Sequence, residues 1–241
     1  MVNSPATSAP ERRERPRASA PGGVALGQAK LNPLGDLHTV QHLSARLARG
    51  LKPIFEALLG GDLRCWAEPL SVQRFADYRS ERGEELTAWL PLAIEGATGS
   101  GAALLVMDAR DVLQMLDRFF GGTGAAPAAM PQVLPPSAEA LVARIGTSLQ
   151  QPLARAWEPL APLTFTAGRV EPAPASLADG EAAMVVTRFG MAVGDAQPAF
   201  VDLLYPMAAL KPYSATLAGK VVEKAEPAPA WRHQLTRAAM D

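Results

Sequence analysis

Two segments of the chain read alike, and this repeat constrains the fold more than any other feature of the sequence. The segment "LSARLARGLKP" at Leu43–Pro53 aligns with "LVARIGTSLQQP" at Leu141–Pro152. The two share leucine, alanine, arginine, an aliphatic residue, leucine and, after one inserted residue, proline. A weaker match, "ALLVMDARDVL" against "FVDLLYPMAAL", repeats the passage from a strand to a helix. We infer an internal duplication.

Apolar spacing predicts the same order of elements in both halves. Leu47 and Ile145 each lie in a run of apolar residues at three- and four-residue steps, which is typical of one buried helical face. Apolar runs without this period follow each helix and predict strands, and a second helix closes each half. The predicted fold class is therefore α/β: a three-layer α/β/α pseudo-twofold domain, running helix-strand-strand-strand-helix twice, with helices covering a mixed sheet.

Composition divides the chain into three parts and excludes several classes of protein. Residues 1–33, rich in Pro, Ala and Arg, predict a disordered tail. Residues 34–219 predict one domain, and residues 220–241 a linker with a short amphipathic helix. The net charge of −1 gives no long-range attraction to nucleic acid, and no window is apolar enough for direct membrane insertion. The single cysteine, Cys65, excludes an internal disulfide and fits a reducing, cytoplasmic compartment.

None of the motifs that suggest chemistry has the context that such chemistry needs. The "GATGSG" run at Gly96–Gly101 lacks the spacing of a dinucleotide fingerprint, and the strands on either side favour a hairpin turn. His38 and His42 are four residues apart, but Thr39 stands where a metalloprotease glutamate would be. Cys65 lies in a predicted strand, where a small core residue is commoner than a nucleophile. We therefore expect no metal, no cofactor and no enzymatic activity.

Three glycines, Gly121, Gly122 and Gly124, end the helix that precedes them. A phosphate loop would precede a helix, because the helix N-terminus offers free N–H groups to an anion. A C-cap accounts for one glycine in the left-handed conformation. A contact surface accounts for all three, with Phe119 or Phe120 as an apolar anchor. The residues alone leave the cap and the contact surface open as alternatives.

Four stretches resemble the middle domain of the flagellar motor switch protein FliM family. They are "LSARLARGLKPIFEALL", "ALLVMDARDVLQMLDRFFGGTG", "LARAWEPLAPLTFTAGRVEP" and "LLYPMAALKPY", and the resemblance runs from about Leu37 to Leu217. The most specific element is the family's GGxG motif, matched by Gly121, Gly122, Thr123 and Gly124. The resemblance implies a CheC-like α/β/α fold and a FliM middle-like domain over residues 34–219.

The resemblance also implies a function and partners. The implied function is that of a non-enzymatic adaptor in the cytoplasmic ring of the flagellar basal body, serving motility and chemotaxis. FliG would dock on Phe120, Gly121, Gly122, Thr123 and Gly124, and neighbouring FliM copies would complete the ring. The family captures phosphorylated CheY through an acidic-aliphatic N-terminal segment that nothing in residues 1–33 matches, so CheY stays an open alternative. The ending "EPAPAWRHQLTRAAMD" resembles the linker to a further domain that binds FliN, so FliN is expected only where that domain is present.

A phosphatase of the CheC type is the alternative function, since it shares this fold. Such enzymes dephosphorylate CheY with a helix-borne glutamate and an asparagine three residues later, which orient the attacking water. In this chain Glu139 is followed at the third position by Val142, and neither of the two long predicted helices contains asparagine. Because the amide that would position water is missing, the sequence disfavours this activity.

Overall fold

The computed structural model describes residues 37–96 and 99–218. The tail predicted for residues 1–33 and the linker and helix predicted for residues 220–241 lie outside these described ranges. Within them the helices are α1 (His38–Leu59), α2 (Phe75–Ser80), α3 (Ala109–Phe119), α4 (Pro136–Trp157), α5 (Met207–Leu210) and α6 (Ser214–Ala218). The strands are β1 (Leu63–Ala67), β2 (Ser71–Arg74), β3 (Thr87–Gly96), β4 (Gly99–Asp108), β5 (Leu163–Ala167), β6 (Ala183–Val193) and β7 (Ala199–Pro206).

The seven strands form one sheet in the order β1-β6-β7-β4-β3-β5, with β2 pairing beside β1 on β6. Every strand pairing among the described residues is antiparallel, so the prediction of a mixed sheet was wrong. Apolar periodicity indicates that a segment is a strand but carries no information about the direction of its neighbour, which the connections decide.

The order of the strands confirms the pseudo-twofold fold inferred from the repeat. Exchanging β1 with β5, β3 with β6 and β4 with β7 reverses the order of the sheet and reproduces it, which places the pseudo-axis between β4 and β7. The first half departs from the predicted order of three strands between two helices, because it has one added strand, β2, and the short helix α2. In the second half the counterpart of the β2 pairing is an isolated bridge between Trp89 and Glu171.

The two long helices cover one face of the sheet. Each has 22 residues and contains a proline, Pro53 in α1 and Pro152 in α4, and neither helix is divided there. They approach closely where Gly50 meets Pro152, since a Cβ on Gly50 would lie 3.2 Å from the Pro152 Cβ. The main hydrophobic core fills the space between these helices and the sheet.

A smaller core on the opposite face completes the three layers. Side chains alternate along β4, so Leu105 and Met107 join the main core whereas Leu104 and Val106 face the other way. There Phe75 and Tyr78 of α2 cover them, and the Trp89 ring meets both of these aromatic rings edge-on. Most of the covering mass therefore lies on the side of α1 and α4, and only a short helix covers the second face.

Candidate protein-docking site

Helix α3 presents the glycine motif at its C-terminal end. Asp108 occupies the N-cap position in extended conformation, and Asp111 lies in the first turn, where a negative charge suits the helix dipole. Val112 and Met115 are fully buried and hold the helix on the main core. This anchoring leaves the last turn and the residues after it at the surface.

The helix ends in a Schellman motif. Gly121 has φ +88°, its N–H donates to the Arg118 carbonyl at 2.9 Å, and the Gly122 N–H donates to the Asp117 carbonyl at 2.8 Å. This pair of bonds satisfies carbonyls that the helix end would otherwise leave free. Gly121 is therefore the C-cap glycine that the sequence predicted without naming its position.

The other two glycines have separate local reasons. Gly124 has φ +78°, and its N–H donates to Asp117 Oδ2 at 2.8 Å. Gly122 has an ordinary φ, but a Cβ there would overlap the Asp117 carboxylate. The backbone conformation of the loop thus favours glycine at residues 121 and 124, and Gly122 leaves room for the Asp117 carboxylate, whether or not a partner binds there. Thr123, between them, is exposed.

Two phenylalanines beside the motif are exposed, as a contact surface would require. Phe119 is 47% exposed and Phe120 is 71% exposed, and their rings meet edge-on at 5.5 Å. The Arg144 guanidinium, from α4, lies 5.6 Å from the centre of the Phe119 ring. Among the described residues the only other large hydrophobic side chain with such exposure is Val133, in the loop that leads to α4. Exposed aromatic rings beside a shaped loop are typical of a protein contact.

The second face of the sheet carries a buried ionic cluster that sequence reasoning missed. Arg188 pairs with Asp202 in a fork, Nε to Oδ1 at 2.8 Å and Nη2 to Oδ2 at 2.9 Å. The Tyr78 hydroxyl donates to Asp202 Oδ2 at 2.7 Å, and Arg82 bonds both Asp202 and the Tyr78 oxygen. Arg82 also pairs with Asp108 at 3.1 Å, at the start of α3. The one signal in the sequence is an aspartate within the apolar run "FVDLLY".

The cluster keeps its acid ionised. Burial by itself would favour the neutral form of Asp202, but the hydrogen bonds and charge of Arg188, with the charge of Arg82, lower its pKa below the ordinary value. Burial and the nearby Asp202 charge raise the pKa of Tyr78. The cluster contains two arginines and two aspartates, so its charges balance, and the rings of Trp89 and Tyr78 lie against Arg82. These contacts hold α2 on the sheet, so the role of the cluster is structural.

The remaining sequence candidates are not brought together. His38 and His42 are exposed on α1, and no group of His, Cys, Asp or Glu within the described ranges could hold a metal ion. Cys65 is partly buried, and burial raises the pKa of its thiol to about 11, which disfavours the reactive thiolate. Strands β3 and β4 pair antiparallel up to Gly96 and Gly99, as the hairpin prediction required. Within residues 37–96 and 99–218, none of the helices is long and apolar enough to cross a membrane.

The chain matches one protein-family model and is similar in fold to several solved structures. The family model described as flagellar motor switch protein FliM matches residues 35–222. A search of curated protein sequences gave no significant match.

Several solved structures of FliM proteins are similar to the chain, among them the following three. A chain of the FliG–FliM complex from H. pylori has a TM-score of 0.66 at 14% identity, covering 74% of this chain and 97% of that one. The FliM middle domain from Vibrio alginolyticus has a TM-score of 0.61 at 18% identity, covering 74% and 99%. The FliM–SpeE complex from H. pylori has a TM-score of 0.65 at 12% identity, covering 83% and 100%. At such identities these likenesses show the fold.

Proposed function

Since this chain belongs to the flagellar motor switch protein FliM family, we propose that it is a non-enzymatic structural adaptor of the motor switch ring that docks FliG through Phe120–Gly124. The ring lies at the flagellar basal body, on the inner face of the cell membrane, and neighbouring FliM copies flank each subunit. In this role the domain transmits the switching of rotation direction that chemotaxis requires.

One observation carries the site assignment. Phe120 is 71% exposed and stands beside a glycine loop whose shape is fixed by its own hydrogen bonds. An exposed aromatic ring on a preformed loop loses little conformational freedom on binding. Most of the free energy gained by burying the ring therefore contributes to affinity. The FliM protein from H. pylori forms a complex with FliG, which supports FliG as the occupant.

The structure alters how this proposal is best tested. From the sequence, Gly122→Asp should abolish docking while leaving the fold nearly unchanged. The space beside Gly122 is occupied by the Asp117 carboxylate, so a second carboxylate there would displace it and add like-charge repulsion. Loss of FliG binding by that variant could result either from a distorted loop or from a blocked contact surface, and the measurement would not distinguish the two. A substitution at Phe120, whose side chain points into solvent, separates the two.

We expect Phe120→Ala to weaken FliG binding by about 2 kcal/mol or more, the size of effect found at central aromatic anchors. The melting temperature should stay within a few degrees of the wild-type value, because the ring contributes little buried surface in the free domain. Calorimetric titration with FliG and thermal unfolding measure the two quantities.

Val133→Ala is the matched control, since Val133 is 68% exposed but lies outside the motif. It should bind FliG like the wild type. Equal FliG affinity of the Phe120→Ala and wild-type proteins would contradict the site assignment. If the wild type does not bind FliG, FliG is not the partner. Release of phosphate from phosphorylated CheY by the purified protein would instead revive the phosphatase alternative.

A further inference from the structure

Asp117 contacts the glycine loop with both its backbone and its side chain. Its carbonyl accepts the Gly122 N–H at 2.8 Å, and its Oδ2 accepts the Gly124 N–H at 2.8 Å. The same carboxylate fills the space in which a Cβ of residue 122 would lie. One aspartate in the last turn of α3 therefore fixes the backbone at two points of the motif.

Arg118 closes the loop from the other side. Its Cγ would lie 2.8 Å from a Cβ on Gly124, so the side chain packs directly on that glycine. Its Nη1 donates to the Leu59 carbonyl at 3.1 Å, at the last residue of α1. A cation at this point also suits the negative end of the α1 dipole. Gly124 is thus held between two side chains, one of which is tied to a second helix.

We propose that Asp117 is a positioning residue that presets the Gly121–Gly124 loop for docking. The inference rests on the proposed function, because it assigns a role in the same site. The Asp117 carboxylate is turned to the loop, where it accepts a backbone N–H, and it acts on a partner through the shape that it gives the loop. A loop already held in its binding conformation avoids the cost of ordering when the complex forms.

The position of the carboxylate gives a local reason for the second glycine of the motif. Left-handed φ angles account for Gly121 and Gly124, but the φ of Gly122 is one that any residue adopts. A larger residue at this position would have to displace the carboxylate of Asp117. The aspartate and the glycine therefore depend on each other, although they are five positions apart in the sequence.

The test compares Asp117→Ala with Asp117→Asn in the full chain, titrated with FliG. Alanine removes the acceptor for the Gly124 N–H, and we expect about tenfold or more weaker binding. Asparagine keeps a side-chain oxygen that can accept the same N–H, so we expect affinity within about threefold of wild type. Since Asp117 is exposed, both variants should melt close to the wild-type temperature.

Hydrogen exchange at the Gly124 amide gives a second readout that does not depend on FliG. Exchange should be faster in the Asp117→Ala protein and near the wild-type rate in the Asp117→Asn protein. If Asp117→Ala binds FliG with wild-type affinity, the positioning role is overturned. An equal loss of affinity in both variants would also overturn it, because that result would mean that the negative charge itself contacts FliG. If the wild type does not bind FliG, the proposed function fails, and the exchange rates still decide whether Asp117 holds the loop.

Discussion

Substitution of Asp202 by alanine is expected to lower the free energy of unfolding by about 3 to 5 kcal/mol, the range found when one partner of a buried ion pair is removed. Asp202 is 2% exposed and receives the fork of Arg188 as well as bonds from Arg82 and Tyr78. Without the carboxylate, the guanidinium of Arg82, itself 6% exposed, would lose its closest counter-charge. Chemical denaturation followed by circular dichroism measures the loss.

Asp195→Ala is the control for this result. Asp195 is exposed in the loop between β6 and β7, and its removal should change the free energy of unfolding by less than about 0.5 kcal/mol. A loss below 1 kcal/mol for Asp202→Ala would mean that the cluster does not hold α2 on the sheet in solution.

The same cluster predicts how stability depends on pH. The folded-state pKa of Asp202 lies below its ordinary value of 3.8, so its contribution is present above about pH 4 and is lost as the pH falls through the folded-state value. The difference in unfolding free energy between the wild type and Asp202→Asn should therefore narrow as the pH is lowered below 4. A difference that stays constant down to pH 2 would show that ionisation of Asp202 is not what stabilises the cluster.

The second large effect is expected at the matched positions of the repeat. Leu47→Ala in α1 and Ile145→Ala in α4 should each cost about 2 to 5 kcal/mol, because each removes a large apolar side chain from the main core. Leu47 is 4% exposed and Ile145 is 1% exposed. Denaturant titration of both variants, with the exposed Val133→Ala as the reference, measures the two losses. Near-neutral behaviour at either position would contradict the equivalence of the two long helices.

Some features of the candidate docking site could be predicted from the sequence and others could not. A glycine run after an amphipathic helix indicated a C-cap, and Phe119 and Phe120 were available as anchors. The bond from Gly124 to Asp117 could not be inferred, because it depends on how the chain reverses after the helix. Without knowledge of where the Asp117 carboxylate lies, the sequence offered no local reason for Gly124, and Gly122 looked free to accept a side chain.

The sequence by itself determined the duplication, the helical faces of Leu47 and Ile145, and the turn at the end of α3, but not the added β2 and α2 of the first half. These are local properties: hydrophobic periodicity and backbone preference act between residues a few positions apart. Only the tertiary structure decided the antiparallel sheet and the burial of Asp202, which bonds Tyr78 and Arg82 from 124 and 120 residues away. A buried carboxylate is tolerable only where distant cations converge on it, and that convergence is a property of the folded chain.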